Sequence, residues 1–367
     1  MGEGGLSMPP TGAMNVGGNP DADREPMVRL LRGDGVALEP VEWLWPGFLP
    51  AGMLTLLGGA PGCGKTTLAL SLAATVTTGG CWPDGVRSAV AGDVIVWSGE
   101  DPHTVAAARL VACGADMRRV HFVDGLSGPE AQAFDPGRDM PRLAATAELL
   151  AAPRLLILDP IVSAVAGDGH KSNEVRRSLQ PVVALGQRLG CAIIGITHFS
   201  KGTSGRDPVE RITGSLSFAA LARLVLVAAK GRTDGEERRV VVRAKSNIGP
   251  DEGGFAYELE RVDVAEGVAG QRARWLEAVH GSARDILSAL EDIGDEQDGP
   301  RSDIETFIRA CLADGPIPAK QLEADARGAG YELRTVQRVA KKLGASSRKD
   351  GMRGGWTWRL DDPGSGR

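Results

Sequence analysis

Eight consecutive residues, Gly59-Ala60-Pro61-Gly62-Cys63-Gly64-Lys65-Thr66, with Thr67 next, have the spacing G-x-x-x-x-G-K-[ST]. Each residue type suits the capture of a nucleoside triphosphate. The glycines permit positive φ and a close backbone approach, so that successive N–H groups turn inward as a nest for phosphate oxygens. Lys65 is expected to reach the β- and γ-phosphates, and the Thr66 hydroxyl to ligate Mg²⁺. Three further polar groups follow apolar runs. Asp159 ends Leu155-Leu156-Ile157-Leu158 and is the expected second Mg²⁺ ligand. Glu100 follows Val94-Ile95-Val96-Trp97 and is the candidate to orient and deprotonate the attacking water. Thr197-His198 follows Ile193-Ile194-Gly195-Ile196, where His198 is expected to sense the γ-phosphate. Asp159 is followed by Pro160 and not by Glu, so the water-activating carboxylate must come from another strand.

These groups need an open sheet to bring them together, since ligands of such sheets sit beyond the carboxyl ends of the strands. The sequence supplies one. Strands are expected at 53–57, 93–97, 120–123, 155–158, 192–196 and 224–228. Helices are expected at 66–76, 103–112, 142–151, 174–189 and 212–222. Apolar strands alternating with helices predict an α/β fold with a mostly parallel sheet covered on both faces. Segments 239–245, 255–259 and 273–276 read as a trailing antiparallel set. Trp43, Trp45 and Phe48 cluster just before the first core strand, to pack on the domain edge or to touch a base or a neighbouring subunit.

The chain has 367 residues, room for about two domains. Its formal net charge of -5 argues against a globally basic nucleic-acid coat while leaving room for a local patch. The five cysteines are scattered without a C-x-x-C pair, so neither a zinc site nor a disulfide framework is indicated. No apolar run approaches a membrane span, and the first residues lack the order of a signal peptide; a cytoplasmic protein without membrane contact is expected.

The domain reading is a flexible tail at 1–38, an ATPase domain at 39–280, an acidic linker at 281–300, a small domain at 301–361 and a tail at 362–367. In the small domain, helices at 303–312, 318–326 and 334–343 precede a hairpin of 345–349 and 356–360, in which Trp356, Trp358 and Leu360 share a face. Three helices and a two-stranded wing describe a winged helix-turn-helix. Val336, Val339, Ala340 and Leu343 form an apolar stripe on the third helix, while Arg334, Arg338, Lys341 and Lys342 fall largely off it. That pattern suits a helix in the major groove of duplex DNA, or a basic solvated face.

Taken together, LPAGMLTLLGGAPGCGKTTLALSLA, GED-P at 99–102, ILDP at 157–160, GITHFSK at 195–201, TGS at 213–215 and AKSNIG at 244–249 resemble the RecA-like ATPases. More specifically, they resemble the RepA-type hexameric replicative helicases of plasmids and phages, over roughly residues 41–260. The resemblance implies Glu100 as catalytic base and His198 as phosphate sensor. It implies Arg223 as a finger that enters the neighbouring subunit's site, with Lys245 reaching the same phosphates, and hence a homo-oligomer, a hexameric ring, using ATP and Mg²⁺. Two Gly-rich loops, 163–172 and 200–208, correspond to loops that line the channel of such rings. Lys171, Lys201 and Arg206 would contact the backbone of single-stranded DNA there. An ATP-driven translocase or helicase is the first functional expectation. A DNA-binding ATPase that does not unwind, such as a recombination mediator or helicase loader, is the second. A regulatory P-loop switch or kinase is the third.

Overall fold

The computed structural model describes residues 30–128, 131–165, 172–200, 203, 206–212, 216–233, 236–294, 300–312, 315–328, 331, 333–349 and 356–360. Side chains within these ranges are described except at a few helix and strand positions, Arg334 and Lys342 among them. The chain divides into a unit of residues 1–40 and a unit of residues 41–367. Of the first, residues 30–40 are described. They hold one 3₁₀ turn, Gly33–Gly35, with Leu30, Leu31 and Leu38 exposed. Most of the expected N-terminal tail lies outside the described residues.

The second unit begins with a small pair, β1 (Trp43–Trp45) and β2 (Leu49–Pro50). The large sheet is built from β3 (Leu54–Gly59), β4 (Asp93–Ser98), β5 (Val120–Phe122), β6 (Pro153–Asp159), β7 (Ala192–Ile196), β8 (Leu224–Thr233), β9 (Glu236–Ser246), β10 (Gly254–Ala265) and β11 (Val268–Val279). Its order is β11-β10-β9-β8-β3-β7-β6-β4-β5. The pairs from β8 to β5 are parallel, and β8, β9, β10 and β11 pair antiparallel in succession. Helices α1 (Lys65–Thr78), α2 (His103–Ala112), α3 (Pro136–Ala147), α4 (Ser172–Leu189), α5 (Leu216–Leu221) and α6 (Ala283–Gly294) accompany it.

The parallel strands read as unbroken apolar runs because both of their faces are buried. Leu54, Leu56, Leu156, Leu158 and Val225 join the core under α3, α4, α5 and α6. Their neighbours Leu57, Leu155, Ile157, Leu224 and Leu226 join the core under α1 and α2. Trp45 belongs to that second core. It is 1% exposed, stacks on Phe48 at 4.1 Å and on Trp82 at 5.4 Å, and donates from its indole N–H to Asp84. This is the domain-edge packing among the alternatives that the sequence left open.

Three expectations are corrected. The helix expected at 142–151 is α3, Pro136–Ala147: the Asp135 carboxylate caps the N–H of Gly137, Pro136 occupies the first turn, and Pro141 is tolerated within the helix. Of the helix expected at 212–222, Leu216–Leu221 forms α5, residues 213–215 lie outside the described residues, and Ile212 instead bridges to Phe199 and is buried. The stretch 281–300, read as an acidic linker, holds α6. Ala283, Leu287 and Leu290 fall on one helical face and are buried against β8 and β9.

The C-terminal part is α7 (Pro300–Leu312), β12 (Ile317–Pro318), α8 (Ala319–Gly328), α9 (Leu333–Lys342), β13 (Ala345–Lys349) and β14 (Trp356–Leu360). Its sheet order is β12-β14-β13, so β12 adds a strand that the sequence reading lacked. Ile308, Leu322, Val336, Val339, Ala340 and Trp358 make its own core, while Trp356 is exposed.

Candidate nucleotide site

The loop between β3 and α1 closes on itself. Gly64 holds φ 93°, a left-handed conformation that favours glycine, and Gly59 lies so close to β8 that a Cβ there would stand 2.2 Å from the Ala228 carbonyl oxygen. Lys65, buried at the start of α1, donates from Nζ to the carbonyls of Gly59 and Ala60, both at 3.1 Å. The Cys63 thiol donates to the Ala60 carbonyl at 3.0 Å, and burial raises its pKa. The loop therefore keeps its carbonyls engaged by its own side chains. The helix N-terminus adds positive potential for an anion.

The carboxyl ends of β4, β6 and β7 converge on this loop. The Thr66 hydroxyl donates to Asp159 Oδ2 at 2.6 Å. Lys65 Nζ lies 3.2 Å from His198 Nδ1, and His198 Nε2 lies 3.3 Å from Glu100 Oε1. An ammonium group can only donate, so His198 Nδ1 accepts, the imidazole proton sits on Nε2, and that N–H points at Glu100. Lys65, His198 and Glu100 thus form one connected chain from the phosphate loop to the carboxylate at the end of β4. Asp101, beside Glu100, turns away and pairs with Arg109 of α2.

Asp159 is 2% exposed, and burial pushes its pKa above the ordinary 3.8, with the Thr66 hydroxyl opposing the shift and the Glu100 and Asp101 charges adding to it. Its Oδ1 is buried without a hydrogen-bond partner. A hydroxyl oxygen and a buried carboxylate with a free lone pair suit a hard divalent cation such as Mg²⁺, which prefers oxygen ligands and completes its shell with phosphate and water. No set of three His, Cys, Asp or Glu side chains among the described residues could cage a metal by itself.

Two sequence candidates lie elsewhere. Gly59 pairs with Ala228 and Thr55 with Leu224, so Arg223 stands at the amino end of β3, roughly 16 Å of strand from the loop. Its backbone N–H donates to the Leu54 carbonyl at 3.1 Å, and its side chain is exposed. Lys245 pairs with Val225 at the same end and donates to the carbonyls of Ala219 and Ala222. Burial, then the Arg223 charge, lowers its pKa. Neither cation reaches the phosphate loop of its own chain. Arg206 is exposed, whereas Lys171 and Lys201 lie outside the described residues. On α9, Arg338 and Lys341 are exposed opposite the buried Val336, Val339 and Ala340. Arg334 and Lys342 are placed on that helix only by their backbone.

The sequence reading missed the β10–β11 hairpin as part of the site. The Tyr257 hydroxyl donates to the Cys63 carbonyl at 2.5 Å, Thr67 Oγ1 donates to Gln271 at 3.0 Å, and Leu259 packs against Gly64. No local motif marks these residues, which lie 194 positions or more along the chain from the loop they touch.

No helix among the described residues is long and apolar enough to cross a membrane. The comparison with curated proteins finds no match. Among solved structures, a KaiC-like protein from the hyperthermophilic archaea Pyrococcus horikoshii OT3 has a TM-score of 0.43 at 17% identity, over 64% of this chain and 99% of that one. That likeness is too distant to say more. Residues 22–204 match the family model of an AAA domain, a span that holds the phosphate loop, Glu100, Asp159 and His198. With that match, the parallel sheet and the Thr66–Asp159 pair at the mouth of the loop, the chain carries a P-loop ATPase domain.

Proposed function

We propose that this ATPase is a DNA translocase or helicase of the RepA type, acting as a ring in phage, plasmid or prophage DNA replication. The observation that carries the reading is the separation of its cations: Arg223 and Lys245 stand together at the amino end of the sheet while the phosphate loop opens at the carboxyl end. In a head-to-tail ring, one subunit's Arg223 meets the next subunit's phosphates, and hydrolysis is tied to subunit contact.

At each interface the loop N–H groups and Lys65 bind the phosphates, and Thr66 and Asp159 would hold Mg²⁺. The metal neutralises charge that develops on the phosphate oxygens. Glu100 takes the proton from the attacking water, and His198, which touches both Lys65 and Glu100, registers whether Lys65 has moved onto a phosphate. Arg223 of the neighbour stabilises the transition state, with Lys245 beside it. Arg206 and the loops around it would track single-stranded DNA through backbone charge. The C-terminal part, with α9 presenting Arg338 and Lys341 and a β13–β14 hairpin beside it, is read as a winged helix for duplex DNA.

The test is strand displacement on a forked duplex with ATP and Mg²⁺, beside ATPase measured with and without single-stranded DNA. Duplex opening by the wild type, lost in Glu100→Gln while ATP binding persists, is the expected result. ATPase stimulated by single strands with no duplex opened would remove the helicase reading in favour of a DNA-binding ATPase that does not unwind.

A further inference from the structure

The phosphate loop is closed from outside by a segment far along the chain and beyond the span of the AAA-domain match. β10 and β11 lie over it and over α1. Tyr257 is fully buried, and its hydroxyl donates to the Cys63 carbonyl at 2.5 Å. Two residues on, Leu259 packs against Gly64 so closely that a Cβ there would stand 2.7 Å from it. Across the hairpin, Gln271 accepts from Thr67 Oγ1 at 3.0 Å, and the Ala273 N–H donates to Ser71 Oγ at 3.2 Å.

The peptide unit between Cys63 and Gly64 is planar and trans, so its carbonyl and its N–H point in opposite directions. A hydroxyl that holds the Cys63 oxygen outward therefore aims the Gly64 N–H into the phosphate cradle. Glycine at φ 93° leaves that peptide free to rotate unless something holds it. We propose that Tyr257 is a positioning residue of the nucleotide site, fixing the Cys63–Gly64 peptide in the orientation that binds phosphate. Burial raises the pKa of the phenol, so it stays a donor across the working pH range. The inference rests on the reading of the loop as a nucleotide site. The brace acts on the cradle shared by ADP and ATP, and it therefore affects both alike.

The chain has two tyrosines, which gives the experiment its control. Tyr257→Phe removes one oxygen. Binding of ATP and of ADP is measured by calorimetry, with turnover and melting temperature alongside. Expected is a rise in Kd for both nucleotides of about 5- to 10-fold, the worth of one hydrogen bond, with kcat within about twofold. Tyr331→Phe, in the C-terminal part, leaves binding unchanged. Wild-type affinity in Tyr257→Phe overturns the proposal, whether or not the melting temperature falls. A wild type that binds neither nucleotide instead overturns the nucleotide reading itself. Should Tyr257→Phe not fold, Tyr331→Phe leaves Tyr257 as the sole tyrosine, and resonance Raman reports its hydroxyl directly. A strong-donor signature that persists when ADP binds is expected; its loss on binding rejects the brace.

Discussion

Asp159 carries its carboxylate where water is nearly absent, and burial raises its pKa above the ordinary 3.8. The folded state thus prefers the protonated acid. Its contribution to stability is full below the ordinary value and is lost as the pH rises through the raised folded value, so at neutral pH the ionised group is a net cost without its cation. Asp159→Asn keeps an acceptor for the Thr66 hydroxyl and removes the charge. In metal-free buffer at pH 7 it is expected to melt at a higher temperature than the wild type, the gain closing as the pH approaches about 3.8, while Mg²⁺-dependent ATPase is lost. An equal or lower melting temperature at pH 7 would mean that the charge is not a burden. The strand-end position of Asp159 was legible, because an apolar run ending in Asp downstream of a phosphate loop has few other uses. Its unpartnered Oδ1 was not, since that depends on what three other strands leave around it.

At the scale of elements, α6 shows how composition misleads. The acids between 281 and 300 suggested a linker, yet Ala283, Leu287 and Leu290 lie on one face and close the open side of β8 and β9. Gly231 of β8 sits so close beneath that a Cβ there would stand 2.5 Å from the Leu290 carbonyl oxygen. Leu290→Ala is expected to destabilise the fold by about 2–4 kcal/mol, read from urea unfolding, because the cavity lies between a helix and a sheet that cannot collapse onto each other. A change below about 0.5 kcal/mol would return α6 to the status of a linker. The helices α1, α2 and α4 were legible because a glycine, a proline or a strand bounds each of them. α3 was misjudged because Pro141 was taken as a start, whereas Asp135 and Pro136 already supply one.

At the scale of the whole molecule, the sheet divides its own chemistry. One end carries the phosphate loop and the other carries Arg223 and Lys245, so in the proposed ring a single copy would hold two halves of different sites. Lys65→Ala keeps the second half and Arg223→Ala keeps the first. Each variant alone is expected to lose nearly all ATPase. Mixed in equal amounts and allowed to exchange, they are expected to recover roughly a quarter of wild-type activity, the share of random interfaces that pair an intact loop with an intact Arg223. No recovery on mixing, with oligomers formed, would remove Arg223 as a finger supplied between subunits.

The sequence by itself determined the phosphate loop, the apolar strands with their terminal Glu100, Asp159 and His198, and the α/β fold, because each is written in local spacing: glycines where φ must be positive, and runs of branched residues where both faces are buried. Tertiary structure decided what joins across distance. It linked Lys65 to Glu100 through His198, set Arg223 and Lys245 at the far end of the sheet, and laid Tyr257 and Gln271 over the loop. The reason is that strand order and register are collective properties. No residue within β10 states that its partner is Cys63, and only the pairing of β10 through β9 and β8 to β3 brings them together.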